Sequence, residues 1–330
     1  MTTTAASEGW PRSRAIAVAK HFNAAVIVFL VLYAIVGFLQ PSYLEPTGFM
    51  NFLRRSAPLA ILASGQLFVL AAGGFDLSMS ALVTLTVIGG SMLADNNPDN
   101  TWWTIGALYG IGLAVGALNG LIVSFLKAPS IIATLGMLLC IDGAAMMWSG
   151  GSPRGYLPDN FRAFGRLVLH EVPVIGTFPI AVGVLIVFTM LAWWGLHVTV
   201  FGQRIFAVGD NPRAAELAGV RVSATRVAAF VISALSAVTG GIMLGGFGGV
   251  SVGVGSGLAL QAIAACVIGG VQLMGGRGSV VGAVAGAFSL FALFTLLNLL
   301  GLPQSLRDTA QGLILISAVA SGAWRLRHAG

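Results

Sequence analysis

Charge is what this 330-residue chain has least of: only 8% of its residues are Asp, Glu, Lys or Arg. A soluble domain carries about 25%, so this chain cannot clothe a water-facing surface. Cysteine and histidine are also scarce, at two and four residues. Cys140 and Cys266 fall inside apolar stretches with no His or Cys at ligand spacing, which reads as packing rather than a disulfide framework or a metal pair. No phosphate loop of the GxxxxGK[ST] type occurs; Gly275-Gly-Arg-Gly278 lacks that pattern and follows no strand. No catalytic triad is recognisable among the scattered histidines. The chain is therefore not expected to be an enzyme, nor to hold a metal or cofactor of its own. Its 45 glycines have no three-residue period, which excludes collagen, and its apolar content excludes low-complexity disorder.

What is present is hydrophobic residue, 57% of the chain. Spans of roughly 20 apolar residues suit a bilayer, and stretches near that length recur from end to end. They predict an all-α polytopic membrane protein of about ten transmembrane helices: Ala24–Leu39, Pro58–Ala72, Met79–Ala94, Trp102–Phe125, Ile131–Trp148, Pro179–Leu196, Val227–Phe247, Leu258–Val271, Val280–Leu300 and Thr309–Trp324. Glycine suits that class, because small residues let helices approach where lipid gives no hydrophobic drive to association. The expected organisation is an N-terminal tail over residues 1–23, a transmembrane domain over 24–324 and a C-terminal tail over 325–330. Ala24–Leu39 is expected to be retained, since no cleavage site leads into a soluble domain. An even number of spans puts both tails on one side. With that side cytoplasmic, eleven basic residues lie inside and six outside, a balance the positive-inside tendency favours without compelling it. The net charge of +6 is thereby read as topology, with no nucleic-acid partner.

Against this background the polar interruptions stand out. Phe201–Ser223 is the longest, and within it Asn211 and Pro212 read as a helix cap followed by Pro at the first helical position. Arg213, Ala214, Ala215 and Glu216 continue a short helix, and Gly219 reads as its stop. Asp76 follows Gly73-Gly74 between two apolar runs. Three readings fit it: an acid lining a pathway, a proton-relay acid, or a cap for a helix starting near Leu77. Asp142, inside the fifth span, raises the same question. Gln66, Ser80, Asn119, Thr134, Gln261 and Asn298, with Asp76, are candidate pathway residues because their polar side chains sit inside apolar spans. Hydrogen bonding between packed helices is the plainer role for each.

Five segments, in order, resemble the permeases of ribose-type sugar ABC importers, within the branched-chain and monosaccharide permease superfamily. Gly73-Gly-Phe-Asp-Leu-Ser78 is similar to that family's GG-I-D-L-S segment. Asn119–Val123 with Ala128–Gly136 resembles its NG run and FIATLG segment. Phe201-Gly202, Ala207–Asn211 and Ala214–Val220 resemble its long cytoplasmic loop. Leu260–Ala264, Gly269-Gly270 and Gly275–Gly278 resemble its last glycine-rich region. The chain departs from the pattern at Phe75, at Met79-Ser80 and at Asp210. The resemblance implies an ABC importer permease fold in the bacterial inner membrane. Its implied partners are a cytoplasmic ATPase that binds the ATP, a periplasmic sugar-binding protein, and a second copy or a related permease. It also implies that the helix after Pro212 is the coupling helix docking on the ATPase. The cargo would be a monosaccharide or polyol. A branched-chain amino acid importer and a proton-coupled transporter using Asp76 and Asp142 are the alternatives.

Overall fold

In the computed structural model, residues 24–152, 155–172 and 176–303 are described, with a few positions between 305 and 316. The N-terminal tail and most of the expected tenth span lie outside the described residues. Twelve α-helices are present among the described residues: α1 Ala24–Leu39, α2 Pro46–Ala71, α3 Met79–Ala94, α4 Thr101–Phe125, α5 Ser130–Ser149, α6 Asp159–Arg166, α7 Ile180–Trp193, α8 Val200–Asp210, α9 Pro212–Leu217, α10 Val222–Gly248, α11 Leu258–Ile268 and α12 Val280–Leu299. Among the described residues, five helical stretches are long and apolar enough to cross a membrane: Pro98–Phe125, Ser130–Ser149, Ile180–Val198, Val222–Gly248 and Val280–Leu299. α1, α3 and α11 are apolar but shorter.

The core is built around α2. Every residue from Ser56 to Ala71 is buried, against α7, α10, α11 and α12. A helix covered on all sides by protein need not be uniformly apolar, and α2 tolerates Ser56, Ser64 and Gln66 at full burial. Its start differs from the expected Pro58. Glu45 is the cap and Pro46 the first helical residue, so Arg54 and Arg55 belong to the helix rather than to a loop before it. Six aromatic rings from α1, α2 and α12 (Phe29, Tyr33, Phe49, Phe52, Phe288 and Phe291) form one cluster with centroid separations of 4.9 to 6.4 Å.

The most extensive helix–helix contact is that of α4 with α10. Gly112, Gly116 and Gly120 recur every four residues and so share one face of α4. A Cβ on Gly116 would lie 2.7 Å from the Val231 Cα, and one on Gly120 would lie 2.5 Å from the Val227 Cα. Backbone meets backbone here, which is the membrane use of small residues at four-residue spacing.

The connection between the expected fifth and sixth spans carries structure of its own. It holds α6 and an antiparallel hairpin, β1 Val168–Val172 paired with β2 Gly176–Pro179. Phe161 of α6 is fully buried, and Gly165 packs on the Gly246 backbone of α10. The chain is thus helical with one small sheet at its edge. The α4–α10 contact yields a prediction. Gly116→Leu should destabilise the protein in detergent by about 2 kcal/mol, the usual cost of overpacking. Gly106→Leu, with open space around that glycine, should leave it unchanged in the same thermal-unfolding assay.

Candidate functional site

Between α2 and α3 the chain leaves the helix over Gly73–Ser78, turning at Gly73 (φ +79°), and α3 is only sixteen residues, about 24 Å long. It cannot cross a hydrocarbon core of roughly 30 Å alone, so the break itself lies within the protein body. A break there needs an internal partner for every amide, since lipid supplies none. Each N–H in the segment has one. Gly73 and Gly74 donate to the Leu70 and Val69 carbonyls at 2.9 Å. Phe75 donates to Ser130 Oγ at 3.0 Å and Leu77 to Thr134 Oγ1 at 3.1 Å, both on α5. Ser78 donates to Asp76 Oδ1 at 3.0 Å. Gln66, in the amide orientation that pairs both its ends, accepts from the Asp76 N–H and donates to the Asp76 carbonyl at 3.2 Å.

Asp76 is fully buried at the centre of this arrangement. Its carboxyl accepts from Ser78 Oγ at 2.6 Å and from Ser233 Oγ of α10 at 2.7 Å. Asn119 of α4 donates to Ser78 Oγ at 2.8 Å. Asp76 Oδ1 accepts the Ser78 N–H in a two-residue side-chain turn at the start of α3, while Ser78, in the cap position, makes no side-chain cap bond of its own.

Of the seven candidate pathway residues, the fold gathers Gln66, Asp76, Asn119 and Thr134 around this break. Ser80 stands one turn further on, where its Oγ accepts the Ala259 N–H at the start of α11 at 2.8 Å. Gln261 is half-buried near that same helix start. Asn298 is exposed near the far end of α12 and lines a separate cavity of about 630 Å³ with Arg54 and Arg55. Sequence reasoning missed Ser130 and Ser233. Ser130 follows Pro129 at a helix start, a local cue, whereas Ser233 is one small residue among many on α10 and carries none.

The interruption at Phe201–Ser223 is two helices, α8 and α9. Asn211 caps α9, its side chain accepting the Ala214 N–H at 3.0 Å, with Pro212 at the first position. Gly219 has a φ of +83°, a left-handed stop. Arg213 and Glu216 pair at 3.0 Å with both side chains largely exposed, a contact worth a few tenths of a kcal/mol at most. Only Ala215 is buried, so the charged face of α9 is free of intramolecular partners beyond that pair.

α8 ends against the break. Gly209 abuts the Ala71 carbonyl at the end of α2, and a Cβ on Gly275 would lie 2.8 Å from the Gly209 carbonyl. Gly276 closes the junction by donating to the Ala71 carbonyl at 3.0 Å. Three segments thus meet backbone to backbone: the end of α2 at Ala71, the end of α8 at Gly209, and the Gly275–Gly278 turn. The network makes a prediction. Ser233→Ala should cost about 2 kcal/mol, the loss of one hydrogen bond to a buried acid. Asp76→Leu, which strands Ser78 and Ser233, should cost more and cut the yield of folded protein, read by monodispersity and thermal unfolding in detergent.

The comparisons agree with this architecture. A family described as branched-chain amino acid transport system / permease component matches residues 48–319. The autoinducer 2 import system permease protein LsrC of Enterobacter sp. (strain 638) is 36% identical over 306 residues, covering 92% of this chain and 87% of that protein. Its namesake from Klebsiella pneumoniae subsp. pneumoniae is 37% identical over 310 residues, covering 93% and 86%. That of Escherichia coli O157:H7 is 32% identical over 296 residues, covering 89% and 84%. No solved structure matches the chain. With a polytopic helical core, interrupted spans and a match over most of its length, the chain belongs to the family of branched-chain amino acid transport system permease components.

Proposed function

We propose that this chain is the membrane permease subunit of an ATP-driven ABC importer for a small sugar-like substrate, a monosaccharide or related polyol. In this reading the domain over 24–324 crosses the inner membrane about ten times, with the tails at 1–23 and 325–330 in the cytoplasm. A periplasmic binding protein delivers the cargo, and a second copy or a related permease completes the pathway. ATP is bound by a separate cytoplasmic ATPase.

The observation that carries the energising step is α9. It is capped by Asn211, started by Pro212 and stopped by Gly219, yet it presents Arg213 and Glu216 to solvent. A rigid, capped, exposed helix is suited to dock in a partner's cleft, with Ala214 and Ala215 permitting close approach and the two charges setting orientation. The glycine junction at Gly209 supports a route from that docked helix to the break at Asp76, since backbones in direct contact move together.

For the substrate, the GGFDLS resemblance and the relatives named for autoinducer 2 import favour a sugar-like molecule, with autoinducer 2 itself the first to test. The family's description favours a branched-chain amino acid as the second reading. In proteoliposomes reconstituted with the partner ATPase, uptake should require ATP on the ATPase side. Uptake driven by an imposed proton gradient without the ATPase would end the importer reading. Glu216→Lys and Gly219→Leu should insert normally and lose the ATPase on co-purification. The second also carries about 1 kcal/mol of left-handed backbone strain. Retention of the ATPase by both variants would remove the docking role from α9.

A further inference from the structure

α11 is eleven residues, about 16 Å, and like α3 is too short to cross a bilayer. The two short helices begin beside each other. Ser80 Oγ holds the Ala259 N–H, Thr84 Oγ1 accepts the Gly255 N–H at 3.1 Å, and Gly255 packs on the Ser80 carbonyl. Ser233 of α10 reaches Asp76, and Gly241 of α10 abuts Thr86. Ser80 therefore lies level with the middle of the apolar length of α10. The non-helical segment 249–257 descends to that depth from the end of α10.

At this meeting point is a cavity of about 340 Å³, lined by Ser80 and Thr84 of α3, Asp142 and Met146 of α5, and Val252 and Ser256 of the descending segment. That volume is at the small end of the range for ligand sites, roughly 300 to 1,000 Å³. Asp142 is exposed on α5 between exposed Leu139 and Met147, and the only ion pair among the described residues joins Arg213 to Glu216. A carboxylate at this depth is expensive against acyl chains. Irregular backbone at this depth is tolerated only inside protein or along a water-filled cavity. Both conditions are met if the cavity holds water.

We infer that this cavity is a binding subsite for a small, uncharged, polyhydroxylated molecule, with Asp142 accepting hydroxyl protons and the Ser80, Thr84 and Ser256 hydroxyls completing the contacts. Met146 and Val252 offer apolar surface to the C–H face of such a ring. The lining has one acid and no base, so the carboxylate of an amino acid would find no counter-charge there. The substrate class, though not the site, rests on the importer reading above.

The test uses the complete importer in proteoliposomes, in a Cys140→Ser background because Cys140 is exposed. Ser256→Cys, which keeps Asp142, is exposed to a charged, membrane-impermeant methanethiosulfonate. Val187→Cys, on the exposed apolar face of α7, serves as the lipid-facing control. The cysteine at 256 should react at least about tenfold faster than that at 187, as water access rather than lipid dictates. D-ribose or autoinducer 2, whichever vesicles of the Cys140→Ser importer with Ser256 intact take up, should slow the reaction. Adding Asp142→Leu should abolish that protection while labelling persists. Reaction at 256 no faster than at 187, protection absent with a transported sugar, or protection indifferent to Asp142→Leu would each overturn the site. Uptake of neither compound would instead remove the proposed substrate class, and the labelling rates alone would then decide whether the cavity is water-filled.

Discussion

A hydrocarbon interior offers no hydrogen bonds, and the break in the chain at Gly73–Ser78 is shaped by that constraint. The stretch Gly73–Ser78 leaves the helical ladder for six residues, and six amides find partners: two carbonyls of α2, the side chains of Ser130 and Thr134 on α5, Gln66 on α2, and Asp76 itself. Gln66, Asp76 and Thr134 are buried, and Ser130 half-buried, because the break needs them. The break in turn brings α2, α4, α5 and α10 to one point, through Gln66, Asn119, Thr134 and Ser233. Remove the constraint and nothing requires those four helices to converge there.

The glycine junction follows from the same packing. α8 reaches the break through Gly209, where any side chain would strike the Ala71 carbonyl. The end of α2, the end of α8 and the Gly275–Gly278 turn therefore form one close-packed, poorly compressible contact. The descending segment 249–257 is held on α3 by Ser80 and Thr84 rather than by its own ladder. Two irregular segments are thus anchored on neighbouring turns of one short helix, which gives α3 the position of a hinge between them.

Much of this was legible in the residues. The apolar runs located nine helices, and Asn211, Pro212 and Gly219 marked α9 with its cap, start and stop, because capping chemistry is local. Polar residues inside spans located the network in part: Gln66, Asp76, Asn119 and Thr134 meet, whereas Asn298 stands apart with Arg54 and Arg55. What could not be read was partnership at long range. Ser233 lies 157 residues from Asp76, and no periodicity marks it among the other small residues of α10. The hairpin at Val168–Val172 was hidden for a different reason, since a segment rich in turn residues and charges looks like open loop until its strands pair. The start of α2 was misplaced because Pro58, a residue that usually opens helices, lies inside one whose surroundings hold it in place.

Every amide of the chain break at Asp76 is bonded inside the protein, which makes it a water-excluded element. Hydrogen–deuterium exchange on the protein in lipid nanodiscs addresses it directly. Amides of residues 75–78 should exchange as slowly as those of the middle of α3, and far more slowly than the exposed turn over 95–100. Exchange at 75–78 as fast as in that turn would contradict it.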